Sequence, residues 1–215
     1  MVKLEEIKKY CEGRKIIIVG NSSRILNGKY QKLIDSYEIV VRINKGYFDR
    51  NNIYSDKIGT KTNILAMGLK SAAFSSNIIQ RNTLNYIISP IIYSERLDYS
   101  NVYDVDVETY NILKQELGGF KPSTGISTYN FFNRFTNFSR LDLIGFDFFE
   151  SSSRQRNQLG HCYVEDHHGI KEKLFFEKSK DSDKTILHPV EGPDAVTINN
   201  IPIYNNYHIK NIKGR

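Results

Sequence analysis

The sequence predicts an α/β protein, a single domain built on a mainly parallel sheet flanked by helices. Three observations carry that expectation. Short, continuous, β-branched apolar runs recur along the chain, beginning with Lys15-Ile-Ile-Ile-Val19, as strands buried on both faces of a parallel sheet require. Stretches of helical periodicity lie between several of them, so strand and helix patterns alternate. The length, 215 residues, suits one full hydrophobic core and is short for two.

Taken in order, Leu4, Ile7 and Tyr10–Cys11 recur at helical spacing with charges between them, and Gly13 closes that first helix. The strand at 15–19 follows and ends at Gly20. Further strands are predicted at Glu38-Ile-Val-Val-Arg-Ile43, Asn63-Ile-Leu-Ala-Met67, Asn85-Tyr-Ile-Ile-Ser89, Leu141-Asp-Leu-Ile-Gly145 and Lys184-Thr-Ile-Leu187. The clearest helical stretches are 107–117, 126–135 and 169–177. In such folds ligands bind in the crevice at the carboxyl edge of the sheet, so residues at strand ends are the first to inspect.

Composition narrows the field. Hydrophobic residues at 40% and charged residues at 25% are ordinary globular usage and exclude a wholly disordered chain. Lys and Arg total 30 against 24 Asp and Glu, a net charge of +6, which favours anionic partners. The positive residues are scattered and not interleaved with aromatics, so a nucleic-acid partner is not expected. Cys11 and Cys162 cannot make a disulfide framework, and no CxxC pair is present. The N-terminus lacks a signal-like apolar run and no stretch reaches the ~20 apolar residues of a membrane span, which points to a cytoplasmic protein.

Four groups of residues could carry chemistry. Gly20-Asn21-Ser22-Ser23 follows the first strand, where a glycine allows a tight turn and close approach to a ligand. It is neither a GxGxxG fingerprint nor a phosphate-binding P-loop, and taken alone it reads more readily as a plain turn. Asn44 ends the second strand, so two carboxamides could face one crevice and read a base edge or ribose hydroxyls. Arg42 beside it reads as a structural ion-pair partner. Lys121-Pro-Ser-Thr-Gly125 precedes a helix whose first N–H groups and dipole favour a phosphate or carboxylate, or else Ser123 or Thr124 simply caps it. Three of the five histidines fall at 161, 167 and 168. Their spacing lacks a zinc signature, so a general base is the better reading than a metal site, with Glu172 one turn on to orient an imidazole. Alone, the histidine segment would read as solvated loop.

Together these segments resemble the sialylmotifs of the animal-type sialyltransferases, glycosyltransferase family 29. Ile17-Ile-Val-Gly-Asn-Ser-Ser23, Ile34-Asp35, Val41-Arg-Ile-Asn44 and Ile58-Gly-Thr-Lys-Thr62 are similar to the large motif. Pro122-Ser-Thr-Gly125 with Leu143-Ile-Gly-Phe-Asp147 is similar to the small motif, whose strand ends in a Gly-Phe-Gly-like turn, and His167 with Glu172 fits the H-x4-E motif. The resemblance spans roughly 15–177 and implies a Rossmann-like, GT-A-variant sheet, with residues 1–192 as the catalytic domain and 193–215 as a C-terminal tail.

Carried over by position, it implies that Gly20, Asn21, Ser22 and Asn44 hold the CMP portion of a CMP-sugar donor. Ser123, Thr124 and Gly125 would meet the nucleotide and the sugar carboxylate, and Gly145, Phe146 and Asp147 would line the cytidine pocket. His167 would be the general base, with His168 a competitor on spacing, and Tyr163 or His161 could steady the phosphate. Arg154 and Arg156 offer an alternative for that phosphate, though solvated loop charges are the plainer reading. The implied reaction is inverting transfer of sialic acid, or of another CMP-nonulosonate such as CMP-Kdo, to a hydroxyl of a glycan or glycolipid acceptor. It implies no cofactor and no metal. A binding module that has lost catalysis is the alternative from another class. The basic residues and the tail ending Lys210-Asn-Ile-Lys-Gly-Arg215 suggest peripheral contact with an anionic inner membrane. Animal members bridge a cysteine at the position of Ile16 to one in the small motif, and neither cysteine is present here.

Overall fold

The computed structural model describes residues 2–44, 54–68, 84–90, 102–150, 167–190 and 192. They form one seven-stranded sheet, every pairing parallel, in the order β5-β4-β3-β2-β1-β6-β7. The strands are β1 (Lys15–Val19), β2 (Ile39–Ile43), β3 (Ile64–Ala66), β4 (Tyr86–Ser89), β5 (Val102–Asp104), β6 (Arg140–Ile144) and β7 (Thr185–His188). The chain builds outward from β1 to β5, then returns to place β6 on the other side of β1. That reversal is the topological switch point, and the carboxyl ends of β1 and β6 frame its crevice.

Alternate residues of the central strands face two apolar layers, as a strand period of two requires. Ile16, Ile18, Ile39, Val41, Ile43, Leu141 and Leu143 pack with the helices α1 (Leu4–Cys11), α4 (Val107–Glu116), α5 (Thr124–Phe135) and α6 (Gly169–Ser179). Ile17, Val19, Val40 and Ile144 face the other side. There they meet a 3-10 turn (Ser23–Asn27) and residues of the short helices α2 (Gln31–Asp35) and α3 (Ser55–Ile58). Burial on both faces explains why β1 and β2 read as unbroken apolar runs rather than alternating ones.

Arg42 breaks the run in β2 without leaving the core. It is fully buried, and its guanidinium donates to the carbonyls of Ile58 (2.8 Å), Gly59 (3.1 Å) and Lys61 (3.1 Å) and to Thr62 Oγ1 (3.0 Å). Asp35 receives the N–H groups of Thr60 and Lys61 from the same turn, at 3.0–3.2 Å. Gly59 holds a left-handed φ of +72° there, and a Cβ on it would stand 2.3 Å from Asp35 Oδ1. The scattered large-motif residues Asp35, Arg42, Gly59 and Thr62 thus build one turn that holds β2 toward the crevice. The tail at 193–215 lies outside the described residues.

Candidate functional site

At the switch point the ends of β1 and β6 come together through their glycines. Gly20 N–H donates to the Ile144 carbonyl at 2.7 Å and Ser22 N–H to that of Gly145 at 3.0 Å. A Cβ on Gly20 would sit 2.3 Å from the Gly145 carbonyl oxygen, so only glycine permits this approach. Ser22 Oγ then donates to Asp147 Oδ2 at 2.7 Å, joining the turns after the two strands. Gly145 itself adopts φ +73°.

The two carboxamides meet on the other flank. Asn21 Nδ2 donates to the Ile43 carbonyl at 3.3 Å. Asn44, at φ +50°, accepts from Gly68 N–H at 2.7 Å and places Nδ2 3.3 Å from Thr124 Oγ1. Asn tolerates the left-handed region better than most residues, so the strand can end here in a turn whose amide bridges the chain after β3 and the mouth of α5.

Ser123 is the N-cap of α5, its Oγ accepting from Ile126 N–H at 3.2 Å. Its own N–H and hydroxyl donate to the two oxygens of Glu172, at 2.8 and 2.7 Å. Ser123 is therefore spent on the protein, and the helix-mouth donors left for an anion are the N–H groups of Thr124 and Gly125. Phe146 closes this mouth from the β6 side, since a Cβ on Gly125 would stand 2.8 Å from its Cε1.

Glu172 does not orient the histidine, as its spacing had suggested. It is 3% exposed, and that burial pushes its carboxyl up to about 7 against the two hydrogen bonds from Ser123. His167 is held by different partners: its Nδ1 lies 2.8 Å from the Lys121 carbonyl, and its ring stacks on Phe149 at 5.6 Å with planes 4° apart. The carbonyl requires a proton on Nδ1, which leaves Nε2 as the basic atom of a neutral ring. His168 does other work. It caps α6, its Nδ1 accepting from Lys171 N–H at 3.4 Å, and packs edge-on against Phe120.

The backbone just after the β6 turn is unusual. Phe148 and Phe149 both have positive φ, +50° and +70°, and a Cβ on Gly169 would fall 1.9 Å from the Phe148 carbonyl oxygen. Two bulky residues in the left-handed region store strain that the surrounding packing must hold in place. The structure thus brings together Gly20, Asn21, Ser22, Asn44, Ser123, Thr124, Gly125, Gly145, Phe146, Asp147 and His167 at one end of the sheet. His161, Tyr163, Arg154 and Arg156 lie outside the described residues. Among those described, no three His, Cys, Asp or Glu side chains group as a metal site. Sequence reasoning missed Phe149, the Lys121 carbonyl and Gly68, because none carries a chemical signature of its own.

Comparison with known proteins gives this geometry its context. Residues 3–105 match the model of glycosyltransferase family 29 (sialyltransferase). Just under half of the chain is therefore similar to family 29. The match covers the large-motif half, while the helix mouth, the β6 turn and His167 lie beyond it. A beta-1,6-galactosyltransferase of Arabidopsis thaliana is 47% identical over 47 residues, 22% of this chain and 11% of that protein. The chain therefore matches only a small part of that curated relative's length. The fold is that of a mammalian sialyltransferase, superposing with a TM-score of 0.54 at 18% identity over 84% of this chain and 71% of that one. A complex of a mammalian sialyltransferase with Gal-beta-1-3GalNAc-ortho-nitrophenol superposes with a TM-score of 0.51 over the same shares. Among the described residues no helix is long and apolar enough to cross a membrane.

Proposed function

We propose that the protein is an inverting glycosyltransferase that moves sialic acid from CMP-sialic acid to a hydroxyl of a surface glycan, of lipooligosaccharide or capsule type. One observation carries the reading: the ends of β1, β2 and β6 and the mouth of α5 converge at the switch point, with a tautomer-fixed histidine beside them. Asn21 and Asn44 supply donor-and-acceptor edges for the nucleoside. The Thr124 and Gly125 N–H groups and the α5 dipole suit the phosphate or the sugar carboxylate.

In this scheme His167 Nε2 accepts the proton of the acceptor hydroxyl as its oxygen bonds to the anomeric carbon. The bond from that carbon to the CMP phosphate breaks on the opposite face, and the phosphate oxygen leaves with the electron pair. The reacting carbon is tertiary, so its transition state resembles an oxocarbenium ion. The protein's part is then positioning, stabilising the departing phosphate and placing one base, which needs neither cofactor nor metal.

The similarity to a protein named as a galactosyltransferase favours a second reading, in which the same crevice serves another activated sugar. CMP-Kdo and a nucleotide-activated galactose are the alternatives to test. Each nucleotide sugar is offered to the full chain, reading hydrolysis and protection against thermal unfolding, since a bound ligand raises apparent stability by mass action. CMP-sialic acid should protect and be hydrolysed. Protection without turnover, unchanged in His167→Ala, would make the protein a binding module. No protection by CMP or any CMP-sugar overturns the proposal.

A further inference from the structure

Helix α6 is apolar on two opposite faces. Phe175, Phe176 and the buried Glu172 turn toward the core. At 3.6 residues per turn, Ile170 and Leu174 fall on the far side, one turn apart on a single stripe. They are 68% and 59% exposed, the most exposed large hydrophobic side chains among the described residues. Phe120, 39% exposed, lies at the helix start, where its ring packs against the His168 cap.

Lysines border the stripe. Lys171 and Lys178 flank it on one side and Lys173 on the other, all exposed, and the exposed Lys121 lies next to Phe120. Among the described residues Glu150 pairs with Lys173 (3.3 Å) and Glu177 with Lys180 (2.5 Å), while Lys171 and Lys178 enter no ion pair, and Asp181 and Asp183 lie past the far end of the helix. An aliphatic stripe edged by lysines on a solvent-facing helix is the pattern of a segment that lies in a membrane interface. Its apolar side chains enter the acyl boundary and its ammonium groups sit at anionic headgroups.

We propose that the outer face of α6, through Ile170 and Leu174 with Lys171 and Lys178, docks the protein on an anionic lipid surface. The helix begins two residues after His167, so docking sets the candidate base close to the membrane plane, where a lipid-linked hydroxyl would arrive. The docking step itself does not depend on the transferase reading, because it is measured without catalysis.

The experiment is co-sedimentation of the full chain with vesicles of phosphatidylcholine alone and of phosphatidylcholine mixed with phosphatidylglycerol. The intact protein should bind the anionic vesicles, weakly at high salt, and leave neutral ones in the supernatant. Ile170→Ser with Leu174→Ser should lower partitioning at least about tenfold, from the apolar area withdrawn. Its thermal midpoint should stay near that of the intact protein, because both side chains are exposed. Lys171→Gln with Lys178→Gln should weaken binding further in the same direction. A tail variant, Lys210→Gln with Lys213→Gln and Arg215→Gln, keeps the test specific. If it alone abolishes binding while the α6 variants bind normally, the docking face is not α6 and the proposal is overturned. No preference for anionic vesicles overturns it as well. So does a dimer in light scattering that the Ile170→Ser, Leu174→Ser protein loses, since the stripe would then be a protein interface.

Discussion

Replacing Glu172 by Gln tests the link between α6 and the helix mouth. In the folded protein the carboxyl is pushed up to about 7, with burial as the dominant cause and the Ser123 hydrogen bonds opposing it. The unfolded chain ionises near the ordinary value of 4.5. Between those two pH values the folded state holds more protons than the unfolded state, so stability falls as pH rises. A gap from 4.5 to about 7 corresponds to about 3 kcal/mol of stability, present below 4.5 and lost by the time pH passes 7.

Glu172→Gln keeps an acceptor for Ser123 N–H and removes the charge. The variant should match the intact protein in acid and overtake it as pH rises, the gap in thermal midpoint widening by roughly 5–10 °C for a chain of this size. Scanning calorimetry of both proteins across that pH range reads it directly. A constant gap at every pH would refute the reasoning, because Glu172 would then share one ionisation state in folded and unfolded chains. Glu172→Ala distinguishes charge from packing: it leaves both Ser123 donors and a cavity behind and should destabilise by about 2–4 kcal/mol in acid, a deficit that shrinks as pH rises because the same ionisation is gone.

Three other outcomes follow from the same geometry. Phe149→Ala removes the ring stacked on His167, so kcat for transfer should drop about tenfold with the donor KM unchanged; Phe149→Tyr should restore it, and a loss confined to KM would reject the positioning role. Gly20→Ala forces β1 and β6 apart against a backbone oxygen 2.3 Å from the new Cβ, costing about 1–3 kcal/mol, and isothermal titration should show CMP binding abolished. Asp142, fully buried on β6, accepts from Tyr37, from His188 at 2.6 Å and from Arg140 at 2.9 Å. Burial alone would raise its carboxyl, but those three partners win and hold it down to about 2, against 3.8 ordinarily. The resulting stability, about 2 kcal/mol, is present above pH 3.8 and lost as pH falls through 2. Asp142→Asn should remove that acid-limb slope and lower urea-unfolding stability by about 2–4 kcal/mol, and an unchanged slope would discard the assignment.

The parallel sheet was legible because both faces of β1, β2 and β6 are buried, which leaves continuous apolar runs in the sequence. Helices 107–116 and 124–135 were legible to within a turn at each end. Edge strand β5 was not. It is three residues, Val102-Tyr-Asp104, too short for a period and half-exposed at two of them. The 3-10 turn and helices α2 and α3 were missed for the same reason, since none completes a second turn. Within the site, strand-end residues such as Asn21 and Asn44 could be found from position alone. The partner of Glu172 could not, because Ser123 lies 49 residues away and only the fold supplies the contact.

The departures from the family-29 pattern explain themselves through those same contacts. Animal members are implied to join the large and small motifs by a disulfide at the position of Ile16. Here Ile16 on β1 lies in register with Leu141 on β6, directly after the 135–140 stretch where the resemblance puts the second cysteine, so β1–β6 pairing already joins the two motifs. The core supplies what the bridge would add, with Ile16 and Leu141 both fully buried in one apolar layer. Asp147 stands where the resemblance puts the second glycine of the turn, and a carboxylate aimed into the crevice there would repel an anionic ligand. Its Oδ2 instead accepts from Ser22, the residue just past the β1 turn, at 2.7 Å. The acid therefore acts as a strut between the two turns, joining the half of the chain that matches the family model to the half that does not. A crevice assembled across that boundary by Gly20 on Gly145, Ser22 on Asp147 and Asn44 on Thr124 owes its shape to the switch-point topology.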